Sequence, residues 1–145
     1  MSETYVELAP VSVLRVKADW NGEGPAEAFR VLESQLPGLS GGKFYGTLRW
    51  APEGGEYYAG VARVEGDASV PVGLEAAEIP GGWYARRRIP DWEVNVPRIA
   101  VESREMVRVP VGNVDPGRPV IEFFRSRSEM FVLVPVRAVD RPRTP

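Results

Sequence analysis

Glycine and proline set the grain of this chain. The sequence has 15 glycines and 14 prolines among 145 residues, about a fifth of the total, which is high for a helical protein and below the range that signals disorder. Glycine weakens a helix interior through its extra backbone freedom, and proline removes an N–H and clashes with the preceding turn. The runs between these residues are short. Strands joined by tight turns use such runs better than long helices do.

The first strand is expected within Tyr5 to Lys17, where Val11 and Val13 interleave with Leu14 and Val16, and it closes on Asp19-Trp20. Asn21-Gly22-Glu23-Gly24 breaks it. Pro25 suits a first helical turn, and Phe29, Leu32 and Leu36 recur at helical spacing until Pro37 stops the pattern. Two strands follow, Lys43 to Trp50 and Glu56 to Val64, around Pro52-Glu53-Gly54-Gly55. The order then repeats: a strand from Glu78 to Arg88, a weaker helical stretch from Pro97 to Arg108, and a hairpin from Val120 to Val136 turning near Ser126-Arg127-Ser128. The second helix is the weak point, because Val94, Val96, Val101, Val107 and Val109 are β-branched. Residues 140–145 carry no apolar period and read as a tail.

With 43% apolar and 26% charged residues the chain is long enough for one core. The expectation is a single domain over residues 1–137, built of module one (about 4–66) and module two (about 74–137), with 138–145 as a flexible tail. The fold class is α+β: two pseudo-symmetric strand-helix-strand-strand modules of antiparallel sheet. A net charge of -2 and a pI near 5.3 argue against a nucleic-acid surface. No window is apolar enough to span a membrane and Met1-Ser2-Glu3-Thr4 lacks a signal-peptide pattern, so a cytoplasmic location is expected. Cysteine and histidine are both absent. That inventory excludes disulfides, thiolate nucleophiles, serine-histidine triads and soft metal sites, and it leaves Asp, Glu, Lys and Tyr for proton transfer. No acidic loop suited to calcium is present, and neither a cofactor nor a metal is expected.

Chemistry concentrates at Pro119-Val120-Ile121-Glu122-Phe123-Phe124. In a strand Glu122 shares a face with Val120 and Phe124, so one carboxylate sits in an otherwise apolar run that reads as buried. Burying an unpaired carboxylate costs at least several kcal/mol. Either an arginine pairs it, with Arg86, Arg87, Arg88 and Arg118 as candidates, or it faces a ligand. The strands are also rich in amphipathic rings: Phe44, Tyr45 and Trp50, Tyr57 and Tyr58, Trp83 and Tyr84, Phe123, Phe124 and Phe131. Rings around an acid suit organic cations, each contributing roughly 0.5 to 2 kcal/mol. Arg86-Arg87-Arg88 reads as a solvated strand edge.

Phe44-Tyr45-Gly46, Tyr57-Tyr58-Ala59-Gly60-Val61, the segment Leu74 to Tyr84 with its Ile79-Pro80-Gly81-Gly82-Trp83-Tyr84 core, Pro119 to Phe124, and Val134-Pro135-Val136-Arg137 occur in an order that resembles the GyrI-like small-molecule-binding family, also called the bacterial transcription-activator effector-binding domain. The resemblance implies a ligand groove between the two modules that binds hydrophobic and often cationic compounds. Glu122 is then the residue that faces the bound cation, and Tyr45, Tyr58, Trp83 and Phe124 are the walls. With no helix-turn-helix ahead of Tyr5, the stand-alone type is expected, without direct nucleic-acid contact. A tryptophan often found at the end of the family's second helix is not evident between Val94 and Val111. Two alternatives follow from stand-alone relatives: hydrolysis of strained, cyclopropane-type electrophiles with Glu122 as general base, or a gyrase-inhibitor-like protein-interaction module. An exposed hairpin edge makes a monomer or a homodimer compatible with the sequence.

Overall fold

The computed structural model describes residues 4–19, 24–36, 42–51, 54–64, 69–108 and 114–137. Trp20, the Pro37 stop, the Pro52-Glu53 turn and the expected tail lie outside the described residues. The elements are β1 (Thr4–Leu8), β2 (Val11–Lys17), α1 (Pro25–Ser34), β3 (Phe44–Ala51), β4 (Gly54–Ala62), β5 (Glu75–Ile79), β6 (Gly82–Pro90), a single 3-10 turn (Trp92–Val94), α2 (Pro97–Arg108), β7 (Val120–Phe124) and β8 (Glu129–Pro135). The fold is α+β, with antiparallel ladders.

Two stretches read as single strands are each broken in two. The interruptions fall at Pro10 and Pro80, which have no N–H to give to a ladder. After each break the chain takes new partners: β1 pairs with β6, whereas β2 pairs with β4 and β5. Contacts accordingly divide the chain into an N-unit, Pro10–Ile79, and a C-unit, Met1–Ala9 with Pro80–Pro145. Each unit therefore holds a strand from the far side of a proline break.

In the N-unit the strand order is β3-β4-β2-β5. Pro25 opens α1 in the position where its missing N–H costs nothing. Ala28 and Leu32, four residues apart, pack with Leu14, Tyr57, Ala59 and Val61 into one core cluster. Tyr57, Ala59 and Val61 alternate along β4, so the face they share is the one α1 covers. Register carries that face to Leu14, opposite Val61, and to Phe44 on the other flank.

In the C-unit the order is β1-β6-β8-β7. Met130, Val132, Val134 and Val136 alternate along β8 and just beyond it. They are buried with Ala85, Ile89, Val120 and the α2 residues Ile99 and Met106. The low-propensity stretch does form α2, because Ile99, Ser103 and Met106 recur at helical spacing and are buried. Ser103 Oγ donates to the Ile99 carbonyl at 2.8 Å. Of the valines that weaken the stretch on paper, Val94 and Val101 turn outward, 87% and 53% exposed, whereas Val107 packs partly buried against the core.

Candidate ligand-binding site

Cross-strand partners share a face, so register assigns every side chain of β7. Glu122 is opposite Val132 and Phe124 opposite Met130. On the far side of β8, Val132 is opposite Arg87, Met130 opposite Ile89 and Val134 opposite Ala85. Val120, Glu122 and Phe124 therefore stand on the α2-covered face, in common with Trp83, Ala85, Arg87 and Ile89. Burial declines along the strand: Val120 and Ile121 are buried, while Glu122, Phe123 and Phe124 are half-buried. Glu122 is thus not enclosed as the apolar run suggested. It lies toward the hairpin turn, where residues 125–128 are exposed, and partial access to water lowers its desolvation cost.

The three consecutive arginines do not form a solvated edge. β6 has a neighbour on each side, and Arg87 points under α2 with only 7% exposure. Its Nη1 donates to Glu102 Oε1 at 2.7 Å and to Glu105 Oε1 at 2.5 Å. Arg98 Nε donates to the other Glu102 oxygen at 3.1 Å. Burial pushes the Glu102 carboxyl up, but hydrogen bonds from Arg87 and Arg98, and then their charges, outweigh it and hold the group below its ordinary value. Arg86 and Arg88 stand on the opposite face. The Arg86 guanidinium lies 4.8 Å from the centre of the Phe131 ring, and Arg88 pairs with Glu129.

Arg118, the fourth arginine considered as a partner for the acid, braces the start of β6. Its Nε donates to Asp115 Oδ2 at 3.0 Å, Nη2 to the Val136 carbonyl at 2.8 Å, and Nη1 to the Trp83 carbonyl at 3.3 Å. The guanidinium lies 4.9 Å from the Tyr84 ring centre. Tyr84 is fully buried, and its hydroxyl donates back to the Pro80 carbonyl at 2.6 Å. Gly82 has φ +128°, and a Cβ there would meet Arg118 Nη1 at 2.6 Å. The Pro-Gly-Gly-x-Tyr segment thus builds the bend between β5 and β6.

The five expected site residues fall on two faces. Glu122, Trp83 and Phe124 share the α2 face of the C-unit, where Trp83 and Phe124 pack partly exposed against the core. Tyr45 and Tyr58 share the N-unit face turned away from α1, as their register with Gly60 and Thr47 dictates. Arg15 lies 3.7 Å over the Tyr58 ring and donates to Glu75 at 2.7 Å, and burial pushes the Tyr45 phenol above its ordinary value. The α1 face presents Tyr57 instead, edge-on to Phe29 at 6.4 Å.

Trp92 was not singled out by sequence as a site residue. It stands 5.0 Å from Phe124, tilted by 58°, and its Nε1 donates to the Ser126 carbonyl at 2.8 Å. Asp91, in the left-handed conformation at φ 53°, starts the turn that delivers it. The signal available beforehand was the recurrence of Asp-Trp at Asp19-Trp20 and Asp91-Trp92. Among the described residues there is no group of three or more metal-ligating side chains. Nor is any helix among them long and apolar enough to cross a membrane.

Similarity to known proteins lies in structure. No protein-family model matches the chain, and no curated protein sequence matches it. An integron cassette protein from the mobile metagenome of Vibrio cholerae superposes with a TM-score of 0.71 at 11% identity, over 94% of this chain and 96% of the other. SAV2435 bound to tetraphenylphosphonium gives 0.66 at 13% identity, over 96% of each chain. A hydrolase from Listeria innocua gives 0.61 at 10% identity, over 94% and 92%.

The chain shares their fold. Toward the hairpin end of the α2 face of the C-unit a carboxylate, Glu122, stands near the rings of Phe124 and Trp92, a chemistry suited to holding a positively charged aromatic molecule: Coulomb attraction from the acid and ring-face attraction from the aromatics. Trp83 stands at the other end of the face, level with Val136. A half-buried carboxylate is also able to take a proton from water.

Proposed function

We propose that this chain is a GyrI-like small-molecule-binding domain that takes lipophilic organic cations on the α2 face of its C-unit. Glu122 supplies the counter-charge, and Phe124 and Trp92 supply ring surface. The observation that carries this reading is the position of Glu122, a half-buried carboxylate in register with Val132 and flanked by Val120 and Phe124 toward the hairpin end of the face it shares with Arg87. A protein of the same fold is bound to tetraphenylphosphonium, a lipophilic cation.

Tryptophan fluorescence titrated with tetraphenylphosphonium and with the neutral triphenylphosphine oxide tests it. The expected result is micromolar binding of the cation, weakened about tenfold by Glu122→Gln, with the neutral compound unaffected. No binding, or equal loss for both compounds, overturns it. The hydrolase among the structures of this fold favours one second reading, in which Glu122 acts as general base toward a strained electrophile. Glu122-dependent product formation in the same mixtures selects that reading over binding alone.

A further inference from the structure

We infer that the C-unit carries a second small-molecule site, for an aromatic organic anion, on the sheet face turned away from α2, with Arg86 as the residue that holds the anionic group. Each unit lays an arginine over a ring at the same place in its sheet. In the N-unit Arg15 of β2 is opposite Gly60 of β4 and lies 3.7 Å over the ring of Tyr58, two residues before that glycine. In the C-unit Arg86 of β6 is opposite Leu133 of β8 and lies 4.8 Å from the ring of Phe131, two residues before that leucine. Their neighbours correspond as well. Lys17 pairs with Glu56 as Arg88 pairs with Glu129, and Arg49 is opposite Glu56 as Arg125 stands beside Glu129.

The two constellations differ at two positions, and both differences suit a ligand in the C-unit. Beyond Arg15 stands Glu75 of β5, which accepts from its Nε at 2.7 Å and neutralises it. The position beyond Arg86 is Thr4 of β1. Among the described residues Arg86 makes no ion pair. The acid that feels its charge, Glu129, is bound by Arg88, and Arg125 stands 3.6 Å from it. The other difference is a ring: Tyr58 is opposite Thr47, whereas Phe131 is opposite Phe123. Arg86, Phe123 and Phe131 are partly exposed and Arg88 and Arg125 are exposed, so water reaches this end of the face. Three arginines against one glutamate leave it cationic. A guanidinium settled on a ring keeps its N–H groups for a ligand, and its fork matches a carboxylate. Directly opposed side chains on neighbouring strands start about 5 Å apart, so a two-ring aromatic acid spans from Arg86 to Phe123.

Isothermal titration calorimetry with 2-naphthoate and its neutral analogue 2-naphthamide tests this on wild type, Arg86→Gln, Thr4→Glu and Phe123→Thr. Wild type is expected to bind the carboxylate with a Kd of about 0.1–1 mM and the amide about tenfold more weakly. Arg86→Gln brings the carboxylate down to the level of the amide. Thr4→Glu gives the C-unit the acid that the N-unit has in Glu75, and it has the same effect without touching the arginine. Phe123→Thr, which installs the residue found at Thr47, weakens both compounds about three- to tenfold. Added salt weakens the carboxylate alone. Far-ultraviolet circular dichroism reports whether each variant keeps its fold; should Arg86→Gln unfold, Thr4→Glu, at an exposed position on β1, decides in its place. No binding of 2-naphthoate, equal affinities for the two compounds in wild type, or a ratio unchanged by the deciding variant overturns the site. Glu122 stands on the other face of the sheet, so the outcome is independent of whether tetraphenylphosphonium binds.

Discussion

The Tyr84 hydroxyl donates to the carbonyl of Pro80, four residues back across the bend between β5 and β6, at 2.6 Å. Tyr84 is fully buried, so the bond is made away from solvent. Tyr84→Phe keeps the ring and the Arg118 contact but leaves that carbonyl short of a partner. The expected loss is about 1–2 kcal/mol of unfolding free energy, read as a lower urea midpoint at unchanged slope. A midpoint equal to wild type shows that the bond contributes nothing.

Gly82 and Gly73 separate backbone strain from packing. Both have positive φ, but a Cβ at Gly82 meets Arg118 at 2.6 Å and one at Gly73 meets nothing within 4 Å. Gly73→Ala should cost about 1–2 kcal/mol from conformation alone. Gly82→Ala should cost more, because the guanidinium must leave the Trp83 and Val136 carbonyls. Equal melting temperatures for the two variants count against the Arg118 brace.

Acid should unfold the protein through its paired carboxylates. Glu102, Asp115 and Glu129 are all held below their ordinary values. Burial of Glu102 is outweighed by Arg87 and Arg98; Asp115 accepts from the Gly117 N–H and then from Arg118; Glu129 accepts from Arg88. A carboxyl lowered in the folded state binds fewer protons than it does unfolded, so its contribution is complete above the unfolded value, about 4, and is lost as pH falls through the folded one. The urea midpoint should be flat above about pH 5.5 and fall steeply below about pH 4.5. Asp115→Asn should flatten that fall, and a midpoint that rises on acidification contradicts the assignment.

Ring and charge contributions to binding should separate. Trp92→Ala and Phe124→Ala remove surface that a neutral aromatic uses as well as a cation, and each should weaken both by about three- to tenfold. Glu122→Gln should act on cations alone. If Trp92→Ala leaves every affinity unchanged, the pair it forms with Phe124 belongs to the core only.

Much of the fold was legible because local rules and tertiary packing agree. Phe29 and Leu32 at helical spacing after Pro25 gave α1 its place, and the alternation in β4 placed Tyr57, Ala59 and Val61 together. The strand breaks at Pro10 and Pro80 were less visible, since the apolar alternation runs up to them on both sides and only the pairing reveals the change of partner. For the site, the face shared by Glu122 and Phe124 follows from the period of two in any strand. Trp92 had no such period to betray it, because it sits in a one-turn helix whose direction depends on the left-handed Asp91.

By itself the sequence determined an α+β fold of short strands and two helices, a chemistry without thiol or imidazole, and one carboxylate among apolar and aromatic residues on β7. These are properties of inventory and of local periodicity, which need no distant partner. Only the tertiary structure decided that the middle arginine of Arg86-Arg87-Arg88 goes under α2 while its neighbours face away, that Arg118 braces Tyr84 and Gly82, and that Glu122 and Arg87 occupy one row. Those outcomes depend on which strand lies beside which and on where α2 lays its two glutamates. Such long-range choices are set by the burial of Ile99 and Met106 against β8, not by any run of neighbouring residues.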